Sequence, residues 1–268
     1  MIARIQTGNN GAAMSDRKHP PEKSELVLSY LAVRQCLGLL GLSLPVSLYL
    51  YARVFGGAMQ PSVSEFYYTA VGDWLVGTLC AIGVFLFAYK GYATRPPRLW
   101  LGDREIGRAA GLLAVIVALF PISADKALAL CQLGSQTRRC AQIAPDGQVA
   151  LSVSGFTNHP DALHLGAALG FFLCLAYFCF VLFPMGGKRS GGRPALSGEH
   201  ATYYICGTLI LIGLAMILLY FLVDAELHDR MKAGNWLFWW ETLAIMAFSA
   251  SWLAKGRFLQ QPFGLRRG

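Results

Sequence analysis

The segment Leu163–Met185 contains the run FFLCLAYFCFVLF and no Asp, Glu, Lys or Arg. A soluble helix buries one apolar stripe and leaves the rest polar, so a run apolar all round needs a different solvent. Crossing a hydrocarbon core of ~30 Å takes about 20 mostly apolar residues. Five more stretches have this character: Cys36–Tyr51, Phe66–Tyr89, Ile106–Ile122, Thr202–Val223 and Trp236–Ala254. Asp73 interrupts the second of the six in chain order, and Glu241 the last. None alternates as a barrel strand would, and lipid leaves no partner for unpaired backbone groups, so the spans read as helices. The expected fold is all-α, a polytopic bundle of six transmembrane helices.

Composition agrees. The chain is 55% hydrophobic and 14% charged, against about 25% charged residues in an ordinary soluble domain. Disorder, a collagen-like fibre and a disulfide scaffold are excluded, and a cytosolic enzyme is disfavoured. The net charge of +8 is spread over several segments beside span ends, where basic residues meet anionic headgroups. With no zinc-finger spacing or RNA-recognition signature beside it, no nucleic-acid partner is expected; membrane lipids are.

The distribution of basic residues sets the sidedness. The N-terminal segment, the second-to-third and fourth-to-fifth connections and the C-terminal segment together carry 17 of the 23 Lys and Arg. Both termini are therefore expected in the cytoplasm, which requires an even number of spans, in a bacterial inner membrane. Residues 1–27 read as a mobile cytoplasmic tail, 28–256 as the membrane domain and 257–268 as a basic tail. Residues 123–160 form a long outer loop.

Five of the seven cysteines fall in spans, where a thiol behaves as a small apolar residue. Cys131 and Cys140 lie in the outer loop, on the oxidising side, and a disulfide closing a small cap is expected there, the alternative being two unpaired thiols. No Cys/His spacing suggests zinc.

Ionisable groups within spans cost about 2.5–3.5 kcal/mol at the membrane centre and mark functional sites by default. Asp73, His164 and Glu241 each lie near the start of an even-numbered span, and these spans all enter from the outer face. The three groups therefore share one leaflet. Small residues around them, Gly72, Gly77, Cys80 and Ala81 in span two and Gly166, Ala167, Ala168 and Gly170 in span four, favour close helix approach. Candidate reacting groups of a shared outer pocket are His164, Glu241, Tyr67, Tyr68 and Ser64; candidate ligand-binding groups are Asp73, Arg53, Glu65 and Asp125. The competing reading is structural: Asp73 and Asp161 as first-turn carboxylates at the positive end of a helix dipole, His164 as a packing hydrogen bond, and Glu241 paired with Arg53 or a tyrosine hydroxyl.

No HExxH, GxSxG, Walker A or dinucleotide fingerprint is present, and no cofactor or metal is expected from spacing. A lipid-interacting membrane protein with a polar outer-leaflet pocket fits best. A membrane-embedded lipid hydrolase using His164 and Glu241, with or without a metal, is the first alternative; a channel or transporter subunit, or a homo-oligomer of such subunits, is another.

The elements PSVSEFYYT (Pro61–Thr69), DWLVGTLCAIGVFLFAYKGY (Asp73–Tyr92), VALFP (Val117–Pro121), Leu163-His164 with Phe171-Phe172, and FWWETLAIMAFSASWLAKG (Phe238–Gly256) resemble a family of bacterial six-span inner-membrane proteins. The family carries no established activity. Its pattern matches Ser64, Tyr67, Tyr68, His164 and Glu241, and has Arg in the place of Asp73. More remotely, the span count and the PSxS element are similar to lipid-remodelling and autophagy-modulator membrane proteins. The polar set resembles that of the alkaline ceramidase superfamily, from which this chain departs in having fewer spans and histidines.

Overall fold

The computed structural model describes residues 21–91, 101–121, 160–185 and 198–258; Asp125, Cys131 and Cys140 lie outside them. Helix α1 spans Pro21–Arg53, and a short 3-10 helix spans Ser64–Tyr68. Helices α2 (Gly72–Ala88) and α3 (Asp103–Leu119) follow. Helix α4 (Pro160–Tyr177) runs on through a π turn (Phe178–Leu182) and a last turn at Phe183–Met185. Then come α5 (Gly198–Leu222), α6 (Ala225–Ala233) and α7 (Trp236–Lys255). The described residues contain no strand.

Four helical stretches are long and apolar enough to cross a membrane: Tyr30–Arg53, Asp161–Met185, His200–Leu222 and Trp236–Lys255. Helices α2 and α3 have 17 residues each, about 25 Å at 1.5 Å per residue, short of the ~30 Å core. The all-helical, multi-pass membrane character expected from the sequence is thus present, with four helices meeting the length criterion. Two differences from the sequence reading are local. Helix α1 begins at Pro21, inside the segment read as a tail, and proline is well suited to a first helical turn because its missing N–H has no intrahelical partner there. Helix α6 occupies the connection between the last two spans, to which the sequence reading assigned no helix. Asp224 caps it by accepting from the Leu227 N–H at 2.9 Å, and Glu226 and Arg230 pair along its exposed face.

The helices pair in chain order, α1 with α2, α2 with α3, α3 with α4, α4 with α5 and α5 with α7; α7 then packs on α1 and closes a ring. Glycines set how closely they approach. A Cβ added at Gly111 would sit 2.5 Å from the Gly83 carbonyl oxygen, and one at Gly83 would sit 2.8 Å from that of Gly111. Helices α2 and α3 therefore meet backbone to backbone. On the α1–α7 seam, a Cβ at Gly41 would fall within 2.9 Å of Ser249 and Phe248. Two positions expected to allow close approach, Gly77 and Gly166, face open space: a Cβ there meets nothing within 4 Å.

At the end of the ring where α1 and α3 begin, polar side chains act as fasteners. Arg34 is buried and donates from Nη2 to the Tyr89 hydroxyl at 2.8 Å. Gln35 Nε2 donates to the Gly256 carbonyl at 2.7 Å, and Lys255 Nζ to that of Phe183 at 2.7 Å. Tyr89, Phe178, Phe183 and Trp252 form an edge-to-face aromatic cluster beside them. The π turn that brings Phe178 and Phe183 there precedes Pro184, which lacks the N–H that Phe180 would otherwise receive. The five described cysteines, Cys36, Cys80, Cys174, Cys179 and Cys206, are free thiols.

The glycine seams give the fold a direct test. Gly111→Ala forces two backbones apart and should destabilise by about 1–3 kcal/mol. Gly166→Ala, which adds a methyl group into open space and gains helix propensity, should leave the thermal midpoint in detergent unchanged or higher. Equal midpoints for the two variants would contradict the packing.

Candidate functional site

At the opposite end, where α2, α4 and α7 begin, the chain between α1 and α2 leaves regular helix and folds into the bundle. Ser62, Val63, Phe66, Tyr67 and Tyr68 are all buried there. Buried backbone away from a helix must find partners for its polar groups, and α7 provides them. The Phe238 N–H, one of the four donors that every helix start leaves without an internal acceptor, donates to the Pro61 carbonyl at 2.8 Å. The Val63 N–H donates to Glu241 Oε2 at 2.6 Å. The Glu65 N–H donates to Ser62 Oγ at 3.2 Å. Residues 61–65 are thereby fixed against α7, with Ser64 opening the 3-10 helix.

Ser64 meets α4. Its Oγ lies 2.9 Å from His164 Nε2. The other ring nitrogen, Nδ1, lies 2.6 Å from the Phe120 carbonyl oxygen. A carbonyl only accepts, so Nδ1 carries the proton; in the neutral ring Nε2 then presents a lone pair and the serine hydroxyl donates to it. Phe120 follows the last turn of α3 and precedes Pro121, which disfavours helical geometry for the residue before it. Its φ of −110° and ψ of 89° are those of a residue leaving the helix, and its carbonyl turns to the imidazole.

These groups border a cavity of about 390 Å³ between α4, α5 and α7, within the 300–1,000 Å³ typical of ligand sites. Its polar end is formed by Ser62, Ser64, Glu65, Asp161, His164 and Glu241. Its long wall is apolar, with Leu165 and Leu169 of α4 facing Ile217, Leu218 and Phe221 of α5. Leu165, Leu169, Leu218 and Phe221 are also exposed on the outside of the bundle, so the cavity opens sideways between α4 and α5. Ser64, His164 and Glu241 also border a smaller recess of about 60 Å³ that reaches Tyr67, Val117 and Pro121. Among the described residues, no Lys or Arg lines either space. Asp161 Oδ1 is buried at the rim of the larger cavity without a hydrogen-bond partner among the described residues.

Of the residues singled out from sequence, Ser64, His164, Glu241 and Glu65 share the cavity, and Tyr67 borders the recess behind it. Tyr68 is buried with its ring edge-on to Tyr67 at 5.0 Å and lines neither space. Asp73 is exposed in the first turn of α2, outside the cavity lining. Arg53 is exposed too, its guanidinium 5.8 Å over the Tyr49 ring; of the structural partners considered for Glu241, Arg53 or a tyrosine hydroxyl, Arg53 is engaged elsewhere, and Glu241 accepts from the Val63 N–H. The sequence reading missed the backbone partners, which residue type does not encode. Pro121 was the one legible signal, since it releases the Phe120 carbonyl. Among the described residues no three His, Cys, Asp or Glu side chains are grouped to hold a metal ion.

The chain matches no protein-family model, no curated protein and no solved structure.

Glu241→Ala leaves the Val63 N–H without its acceptor and should cost about 1–3 kcal/mol. Glu241→Gln keeps an oxygen in place and should cost less. Thermal unfolding of both variants in detergent checks the order; an alanine variant as stable as wild type would remove the anchoring role.

Proposed function

We propose that the protein is a six-span protein of a bacterial inner membrane that binds one membrane lipid in the cavity between α4, α5 and α7. In this arrangement α2 and α3 are short spans held between α1 and α4, and both termini lie in the cytoplasm. The basic residues support that sidedness: Arg34, Lys90, Arg104, Arg108, Lys255 and Arg257 mark one end of the ring, against Arg53, Arg230 and Lys232 at the other. The polar end of the cavity then lies under the outer surface, and its mouth faces the acyl chains of the outer leaflet.

The observation that carries this reading is the pairing of a sideways apolar mouth with a buried polar end. A water-soluble ligand has no reason to enter through a leucine-lined slot between two helices, whereas a lipid places its chain there and its headgroup against the polar residues. The headgroup is constrained as well. Three carboxyl groups and one imidazole, with no cation among the described lining residues, oppose a bare phosphate or a free fatty acid. They favour a hydroxyl-bearing or amine-bearing head, whose donors reach Asp161 Oδ1.

A photoactivatable diacylglycerol or phosphatidylethanolamine, with the crosslinker on the acyl chain, tests this in membranes. Adducts are expected to concentrate on the peptides holding Leu165–Leu169 and Leu214–Phe221, and to fall several-fold when Leu169→Trp and Leu218→Trp fill the mouth. Even labelling around the outer face of the bundle, indifferent to those substitutions, would overturn the proposal.

A further inference from the structure

We infer that Ser64 and His164 form a nucleophile–base pair that transfers the acyl group of a lipid ester held in this cavity, an inference that rests on the lipid-binding reading above. A serine hydroxyl becomes a useful nucleophile when a neutral imidazole accepts its proton and a third group fixes that imidazole's tautomer. All three parts are present. His164 is 4% exposed, so its ring is held by packing. The Phe120 carbonyl, 2.6 Å from Nδ1, holds the ring proton on that nitrogen. Ser64 Oγ, 2.9 Å from Nε2, points its proton at the lone pair. The carbonyl stands where a carboxylate orients the histidine in other hydrolytic sites, and it fixes the tautomer without adding a charge.

Placement distinguishes this pair from a packing hydrogen bond. Ser64 is half-buried, His164 is buried, and both border the cavity. The nucleophile thus faces the space a ligand fills, with the base beside it. The anchors are outside the reacting pair: Glu241 and Phe238 of α7 hold residues 61–63, and so act as positioning residues for Ser64.

The chemistry follows from those positions. Ser64 Oγ attacks the carbonyl carbon of the ester and its proton passes to His164 Nε2. The bond from the acyl carbon to the alcohol oxygen breaks, and that oxygen takes the proton from Nε2. The products are an acylated Ser64 and a free alcohol. Water then gives a proton to the same nitrogen as its oxygen bonds the acyl carbon; the bond from that carbon to Ser64 Oγ breaks, Oγ takes the proton from Nε2, and the fatty acid leaves. The substrate class is an acyl ester of a hydroxyl-bearing or amine-bearing head, as in acylglycerols, because the acidic polar end disfavours an anionic one.

The test is covalent labelling of the wild-type protein in nanodiscs with a long-chain alkyl fluorophosphonate and with its ethyl counterpart, read by peptide mass spectrometry. The expected result is one adduct per chain on Ser64, absent in Ser64→Ala and slowed at least ~100-fold in His164→Ala. Added imidazole should restore part of the rate in His164→Ala, which a purely structural histidine would not allow. No adduct on Ser64 in protein that still crosslinks the photoactivatable lipid at α4 and α5 would overturn the pair and leave lipid binding standing. An ethyl adduct on Ser64 in protein that captures no photolipid would support the pair and overturn the lipid reading instead.

Discussion

Two hydrogen bonds between a non-helical segment and the first turns of α7 organise this end of the molecule. In a membrane, chain that leaves the helix must satisfy its N–H and C=O groups within the protein. Here the Phe238 N–H reaches back to Pro61 and the Glu241 carboxylate reaches across to the Val63 N–H. Each meets a need on both sides: α7 loses an uncapped donor and the segment gains fixed geometry. The fixed geometry sets Ser64 against His164, and His164 in turn ties α4 to the end of α3 through Phe120. Four elements converge through side chains that would otherwise be costly to place in lipid.

The cavity is the space this convergence leaves. Helices α2 and α3 meet backbone to backbone at Gly83 and Gly111, and α1 meets α7 at Gly41. Around the cavity, α4 and α5 instead present leucines to one another and stand apart toward the polar end. The ring is therefore tight on one side and open on the other, and the opening lies beside the Ser64–His164 contact. An apolar slot leading to a base and a hydroxyl is the arrangement an amphiphile needs to present an ester bond.

Much of this was legible in the sequence. The helices follow from uninterrupted apolar runs, because no soluble packing accommodates FFLCLAYFCFVLF. Helix α6 was written in its capping residue Asp224, its Glu226–Arg230 spacing and the Gly234 that ends it, yet its polarity concealed it among connections. The site residues stood out because an imidazole or a carboxylate within a span is expensive, which drew attention to His164 and Glu241. Asp73 stood out for the same reason, and Arg53 as a cation just beyond the first span, but both sit exposed at helix ends, where water or headgroups solvate them at little cost. What residue types could not reveal is which backbone groups would meet the polar side chains. Nor could spacing identify the glycines at the closest seams: Gly77 and Gly83 look alike in sequence, and only the rotation of α2 against α3 separates them.

The tautomer of His164 tests the central arrangement most directly. In protein with nitrogen-15-labelled histidine, long-range proton–nitrogen correlation, assigned by comparison with a His164→Asn variant, distinguishes the two ring nitrogens. A neutral ring protonated at Nδ1, with Nε2 accepting a hydrogen bond, is the predicted state. A ring protonated at Nε2, or one exchanging freely between forms, would mean that Phe120 does not hold the histidine and that Ser64 does not face a base.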